Sequence, residues 1–268
     1  MSEDTLVADS GPEVADGEML GGRVRPLRAV RALGRLFAVA LLVGTTNAFA
    51  GLSLRLTAAP ERLARAIYSR LSGWLVRLLG VATIIEGRVP EELCVIVANH
   101  RSYIDIPLVM SMMPSIFLSK VEIAAWPLFG TAARLTSTVF VDRDDPTSRR
   151  HAFAALGEVL DRGERVVVFP EGTTSTGPGC LRFRTGAFRL AAARGLPIVP
   201  VAIAYHERDA AWVDDTSFLT HFLECFRARR LAVSIAIGDA IRDRDPAALC
   251  ERAEHWILAR LGAIDGPR

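Results

Sequence analysis

The chain has 268 residues, half of them hydrophobic, with a formal net charge of only +2. That length suits one large domain, or one domain with an appendage, and the apolar content is high for a soluble enzyme, which points to membrane contact or a deep apolar groove. The four cysteines, Cys94, Cys180, Cys225 and Cys250, lie far apart without metal spacing, so they read as thiols of a reducing compartment and no metal is expected.

The charge is strongly segregated. Residues 1–20 carry six acids and no base, whereas residues 21–82 carry ten arginines against one acid, Glu61. Residues 1–22 lack an apolar period and are expected to be a disordered acidic tail. From Leu36 to Leu54 the sequence is largely apolar, but Gly44, Thr45, Thr46, Asn47, Gly51 and Ser53 interrupt it. A bilayer span needs about 20 apolar residues, and arginines flank this run on both sides. Symmetric flanks favour a segment that dips into one leaflet and returns. Ala48-Phe49-Ala50 also resembles a signal-peptide cleavage site, although an acidic leader argues against export.

Residues 61–80 read as a helix, with Leu63, Ile67, Leu71, Trp74, Leu75 and Leu78 at helical spacing and arginines between them. Basic charge beside apolar sequence fits a helix lying among lipid headgroups. The segment is too apolar and too poor in aromatics for a nucleic-acid surface. After Gly80, strands alternate with helices. Strands are expected at 81–86, 94–98, 116–119, 138–142, 165–169, 198–204 and 231–237, and helices at 104–112, 147–162, 184–194 and 246–261. Continuous apolar runs such as Cys94 to Ala98 suit strands covered on both faces. The expected fold is therefore α/β. A mixed, largely parallel sheet flanked by helices occupies residues 81–268, and an amphipathic and apolar membrane-binding helical region, residues 23–80, precedes it.

Two stretches carry the chemistry: Asn99-His100-Arg101-Ser102-Tyr103-Ile104-Asp105 and Phe169-Pro170-Glu171-Gly172-Thr173-Thr174-Ser175. Pro107 favours a first helical turn, so His100 sits on a strand-to-helix turn. Five positions on a continuous helix rotate by about 140°, so His100 meets Asp105 only by lying before the helix and folding back over its start. The carboxylate then fixes one imidazole nitrogen and leaves the other free as a base. An isolated pair of this kind is more often structural than catalytic, and its company decides.

That company resembles the glycerolipid acyltransferase family, whose best-known members are the 1-acylglycerol-3-phosphate acyltransferases. Four ordered blocks have counterparts here. Asn99 to Asp105 match NHxxxxD, and Val139 to Arg143 match an apolar strand ending in arginine. Phe169 to Ser175 match FPEGTRS except at one position, and Val199-Pro200-Val201 match an apolar strand with a central proline. The likeness covers roughly residues 60–240 and includes Lys120, the chain's one lysine, with Trp126 to Gly130.

The resemblance implies His100 as general base on the acceptor hydroxyl and Asp105 as its orienting partner. Glu171 and Gly172, with Thr173 and Thr174, would shape the acceptor site. Arg143 would bind phosphate, assisted by Lys120, and Pro200 would help form the donor site. Thr174 stands where many lysophosphatidate enzymes have arginine. A hydroxyl supplies no charge, so either Arg182 or Arg184 compensates or the head group differs, as in relatives that acylate lyso-ornithine lipid. The resemblance also implies acyl-CoA or acyl carrier protein as co-substrate, no other cofactor, a lysolipid acceptor (1-acylglycerol-3-phosphate first) and a place at the cytoplasmic face of a membrane. The competing readings are a serine hydrolase using Ser119 or Ser175, and a non-catalytic lipid-binding protein.

Overall fold

The apolar runs Val95–Ala98 and Val166–Val168 become adjacent parallel strands, each residue of both buried. In the computed structural model, which describes residues 18–57, 60–207, 210–213 and 216–265, they lie in the middle of a seven-stranded sheet. The strands are β1 (Val81–Glu86), β2 (Val95–Ala98), β3 (Ile116–Lys120), β4 (Val139–Val141), β5 (Val166–Val168), β6 (Ile198–Tyr205) and β7 (Leu231–Ile237). Their spatial order is β1-β7-β6-β2-β5-β3-β4, and every neighbouring pair is parallel except β6 with β7. The mixed, largely parallel sheet expected from the sequence is therefore present.

Eight helices are described: α1 (Glu18–Ser53), α2 (Pro60–Leu78), α3 (Asp105–Met112), α4 (Phe129–Leu135), α5 (Pro146–Asp161), α6 (Gly186–Arg194), α7 (Phe218–Cys225) and α8 (Pro246–Asp265). One apolar cluster packs α1, α2, α3 and α7 on one face of the sheet, and a second packs α5, α6 and α8 on the other. A sheet covered on both faces gives its central strands no polar side, which explains their unbroken apolar sequence.

The N-terminal region differs from expectation in one respect. No reversal occurs within residues 36–53; α1 is continuous, and the chain turns after Ser53 through a 3-10 turn at Leu54–Leu56. The polar residues that suggested a break are used inside the helix. Thr45 Oγ1 donates back to the Leu41 carbonyl (2.8 Å). Asn47 Nδ2 donates to the Leu128 carbonyl (2.9 Å), while its Oδ1 accepts from Tyr68 of α2 (2.6 Å). The helix also starts at Glu18, inside the stretch expected to lack structure; residues 1–17 lie outside the described residues. Arg35 ties α1 to the α/β domain by donating to the carbonyls of Phe226 (3.1 Å), Ala228 (2.6 Å) and Arg229 (2.9 Å).

On α2 the buried face is Ala64, Tyr68, Leu71 and Leu75, whereas Trp74, expected on the apolar stripe, is exposed. Arg65 is buried and pairs with Glu164. Helices α4 and α7 were not anticipated. The second had a readable start, because Ser217 caps it by accepting from the Thr220 N–H (3.2 Å).

Candidate active site

Strands β2 and β5 run side by side with Val97 opposite Val168, so the segments that follow them leave the sheet at the same edge. This is the carboxyl-end crevice where open α/β sheets bind ligands. The two motif stretches are then laced together. The His100 N–H donates to Glu171 Oε1 (2.6 Å), and the Ser175 N–H donates to the His100 carbonyl (2.9 Å). Buried Arg101 donates to the Ser175 carbonyl (3.0 Å) and hydroxyl (3.2 Å), and to the Gly179 carbonyl. On the other side, the Asn99 amide exchanges two hydrogen bonds with the Ile203 backbone of β6 (2.8 and 2.7 Å).

His100 folds back over the first turn of α3, as its spacing requires. Its Nδ1 lies 2.8 Å from Asp105 Oδ2, which also accepts from the N–H groups of Arg101 (2.7 Å) and Ser102 (2.9 Å). Asp105 is completely buried, so these donors answer a charge that water does not reach. A carboxylate on Nδ1 leaves Nε2 as the nitrogen available to a substrate. One face of the imidazole stacks on Phe169, with centroids 4.1 Å apart and planes at 15°.

Phe169 lines the first of two spaces near this turn. That space is a groove of about 810 Å³ lined also by Arg143, Gly172 and Arg184, with Arg149, Arg150 and Arg189 farther along. Burial, and then the neighbouring Arg184 guanidinium, lower the pKa of Arg143, which Glu122 opposes. Among the described residues neither Arg143 nor Arg184 has an ion-pair partner within 4.0 Å. Gly172 adopts φ +75°, and a Cβ there would come 2.9 Å from the Arg184 guanidinium carbon. The positive φ of the turn favours glycine here, and the mobile end of Arg184 lies over it. Phe117 lies 6.4 Å from Phe169 by ring centroids. It lines an apolar cavity of about 190 Å³ between α1, α2, α3 and α4, whose walls include Val43, Leu75, Met110 and Trp126. Phe117 and Leu118 alternate on β3, so one faces the cavity and the other the groove.

Arg143, Gly172 and Arg184 therefore line one groove, and the His100–Asp105 pair adjoins it through Phe169, on which His100 stacks. The remaining expected residues are placed differently. Glu171 is buried and does not line the groove; its oxygens accept from His100 N–H, Ser175 Oγ (2.8 Å) and Leu181 N–H (2.7 Å), so it shapes the site from behind. Thr173 is exposed and Thr174 half-buried on the following loop, outside the groove lining. Arg182 borders a separate crevice beside α8, whereas Arg184 lines the groove. Lys120 is exposed at the end of β3 and paired with Glu122 (2.7 Å), which satisfies its charge away from the groove lining. Pro200 is buried within β6 against Gly238 and lines neither space. Ser175 is held by Glu171 and Arg101, and Ser119 lines the apolar cavity. Neither serine completes a triad with His100. Sequence reasoning missed Tyr205, whose hydroxyl donates to Asp105 Oδ1 (2.6 Å).

A family profile described as Acyltransferase matches residues 70–204. A lyso-ornithine lipid O-acyltransferase of Pseudomonas aeruginosa is 33% identical over 251 residues, covering 90% of this chain and 95% of its own. The chain belongs to the glycerolipid acyltransferase family. It is an O-acyltransferase. A 1-acyl-sn-glycerol-3-phosphate acyltransferase of Neisseria gonorrhoeae is 30% identical over 61% of this chain and 68% of its own. In fold, the acyltransferase resembles the crystal structure of the 1-acyl-sn-glycerophosphate acyltransferase PlsC from Thermotoga maritima. The TM-score is 0.73 at 19% identity, over 93% of this chain and 99% of that one.

Proposed function

We propose that the acyltransferase moves a fatty acyl chain from a thioester donor, acyl-CoA or acyl carrier protein, to the free hydroxyl of 1-acylglycerol-3-phosphate. His100 Nε2 takes the hydroxyl proton as the acceptor oxygen attacks the thioester carbonyl. The new C–O bond forms, the C–S bond breaks, and the proton passes to the departing thiolate, with no acyl-enzyme. The observation that carries the acceptor is the pair Arg143 and Arg184. Two neighbouring guanidiniums that have no ion-pair partner within 4.0 Å among the described residues, with Glu122 only partly offsetting the charge of Arg143, favour an anion between them, and a phosphate monoester suits both their charge and their geometry. The apolar cavity behind Phe117 suits an acyl chain.

Residues 26–56 are long and apolar enough to cross a membrane. In this reading α1 and α2 instead lie on the cytoplasmic face as the membrane-binding region, and residues 81–268 form the catalytic domain. The outward side chains of α1, among them Val30, Leu33, Phe37 and Leu41, would enter the leaflet.

A second acceptor, lyso-ornithine lipid, is favoured by one observation: Thr174 in place of a charged residue, together with the name of the Pseudomonas relative. Its head group carries one carboxylate beside an ammonium group, so it presents less negative charge than a phosphate monoester. The test is transfer by purified protein to both acceptors side by side. Faster transfer to lysophosphatidate supports the first reading. Transfer to lyso-ornithine lipid alone replaces it with the second, and no transfer to either rejects both.

A further inference from the structure

Asp105 is bonded on both oxygens. Oδ2 faces His100 and two backbone N–H groups; Oδ1 accepts from Tyr205, one hundred residues away, at 2.6 Å. Tyr205 is the last residue of β6. Its strand is held against the histidine turn by the two bonds between Asn99 and Ile203, and Ile203 and Tyr205 point to the same face of the sheet. The phenol is therefore set beneath α3 by backbone contacts, independently of the substrate groove. Burial, and then the Asp105 charge, hold its pKa well above the ordinary phenol value, so at any working pH it is a donor. Other charged and titratable groups nearby are already committed. Arg101 serves Ser175 and Gly179, and Glu171 serves His100 N–H and Ser175. Tyr103 meets His221 (3.1 Å), and Cys225 approaches from α7. Arg143 and Arg184 line the groove with Phe169.

We propose that Tyr205 is a positioning residue that fixes the Asp105 carboxylate and, by drawing on its charge, sets the basicity of His100. A carboxylate bonded on one oxygen only would hold the imidazolium proton more firmly. The phenol thus holds the carboxylate in place and shares its charge with the imidazole, leaving Nε2 to face the acceptor hydroxyl.

The inference rests on His100 being the base, and its test is chosen to separate the two. Tyr205→Phe keeps the ring and removes the donor. The acid limb of its kcat/KM profile should move to higher pH by roughly half a unit or more, with kcat down about tenfold and acceptor KM little changed. Placing 3,5-difluorotyrosine at position 205 strengthens the donor without loss of packing and should move the limb to lower pH. NMR titration of the His100 ring in the same proteins, without substrates, should follow the same opposite directions. Profiles that coincide with wild type, or that move together, overturn the inference. Loss of transfer by wild-type protein would reject the proposed function while leaving the ring titration as a test of Tyr205.

Discussion

A carboxylate as deeply buried as Asp105 costs several kcal/mol unless its charge is answered. Here the imidazole, two N–H groups at the start of α3 and the Tyr205 phenol answer it. Sequence reasoning reached His100 and Asp105 because their five-residue offset has one solution on a strand-to-helix turn and because the accompanying blocks resemble those of the acyltransferase family. It could not reach Tyr205, because a hundred-residue separation carries no local period. Nor could it show that Glu171 works through the His100 backbone N–H, since a Pro-Glu-Gly turn presents the same letters whether its carboxylate faces inward or outward. The arginines can be tested singly. Arg143→Ala and Arg184→Ala should each raise acceptor KM on the order of 10–100-fold, the worth of a charge-assisted hydrogen bond. Steady-state kinetics with varied acceptor check this, and an unchanged KM in both variants would remove the phosphate role.

Among the elements, α1 is the one whose sequence misled. At roughly 1.5 Å per residue its 36 residues extend about 54 Å. Ala32, Val39, Val43 and Ala50 make a narrow buried seam at spacings of seven, four and seven, while Val30, Leu33, Phe37 and Leu41 form an exposed apolar stripe. Both faces are apolar, so the usual polar-against-apolar contrast that orients a helix is missing. Thr45 and Asn47 look like interruptions until their partners, the Leu41 carbonyl, Leu128 and Tyr68, are known. The strands were legible because full burial leaves unbroken runs such as Val166–Val168. The short helices α4 and α7 were not, since eight residues or fewer give barely two turns of periodicity. If the exposed stripe enters a leaflet, Phe37→Asp with Leu41→Asp should release the protein from vesicles containing anionic lipid. Its Tm should change by less than about 2 °C, because neither side chain is buried. Co-sedimentation with vesicles reads this out, and undiminished binding would count against the membrane role of α1.

At the scale of the whole molecule, function follows from strand order. β5 enters the sheet between β2 and β3, which carries Phe169 to His100, while Phe117 and Leu118 of β3 face the apolar cavity and the arginine groove in turn. No stretch of sequence states that order. The alternation of strands and helices predicts a covered, largely parallel sheet, but neighbours in the sheet are fixed by crossovers, which no local period records. The central claim is that His100 is the base in direct transfer from thioester to lysolipid hydroxyl. Its most direct measurement is acyl transfer by His100→Ala beside wild type, with thermal unfolding of both proteins. The account predicts a loss of about 10²–10⁴-fold in kcat with the fold retained; a folded His100→Ala protein that transfers at the wild-type rate would contradict it.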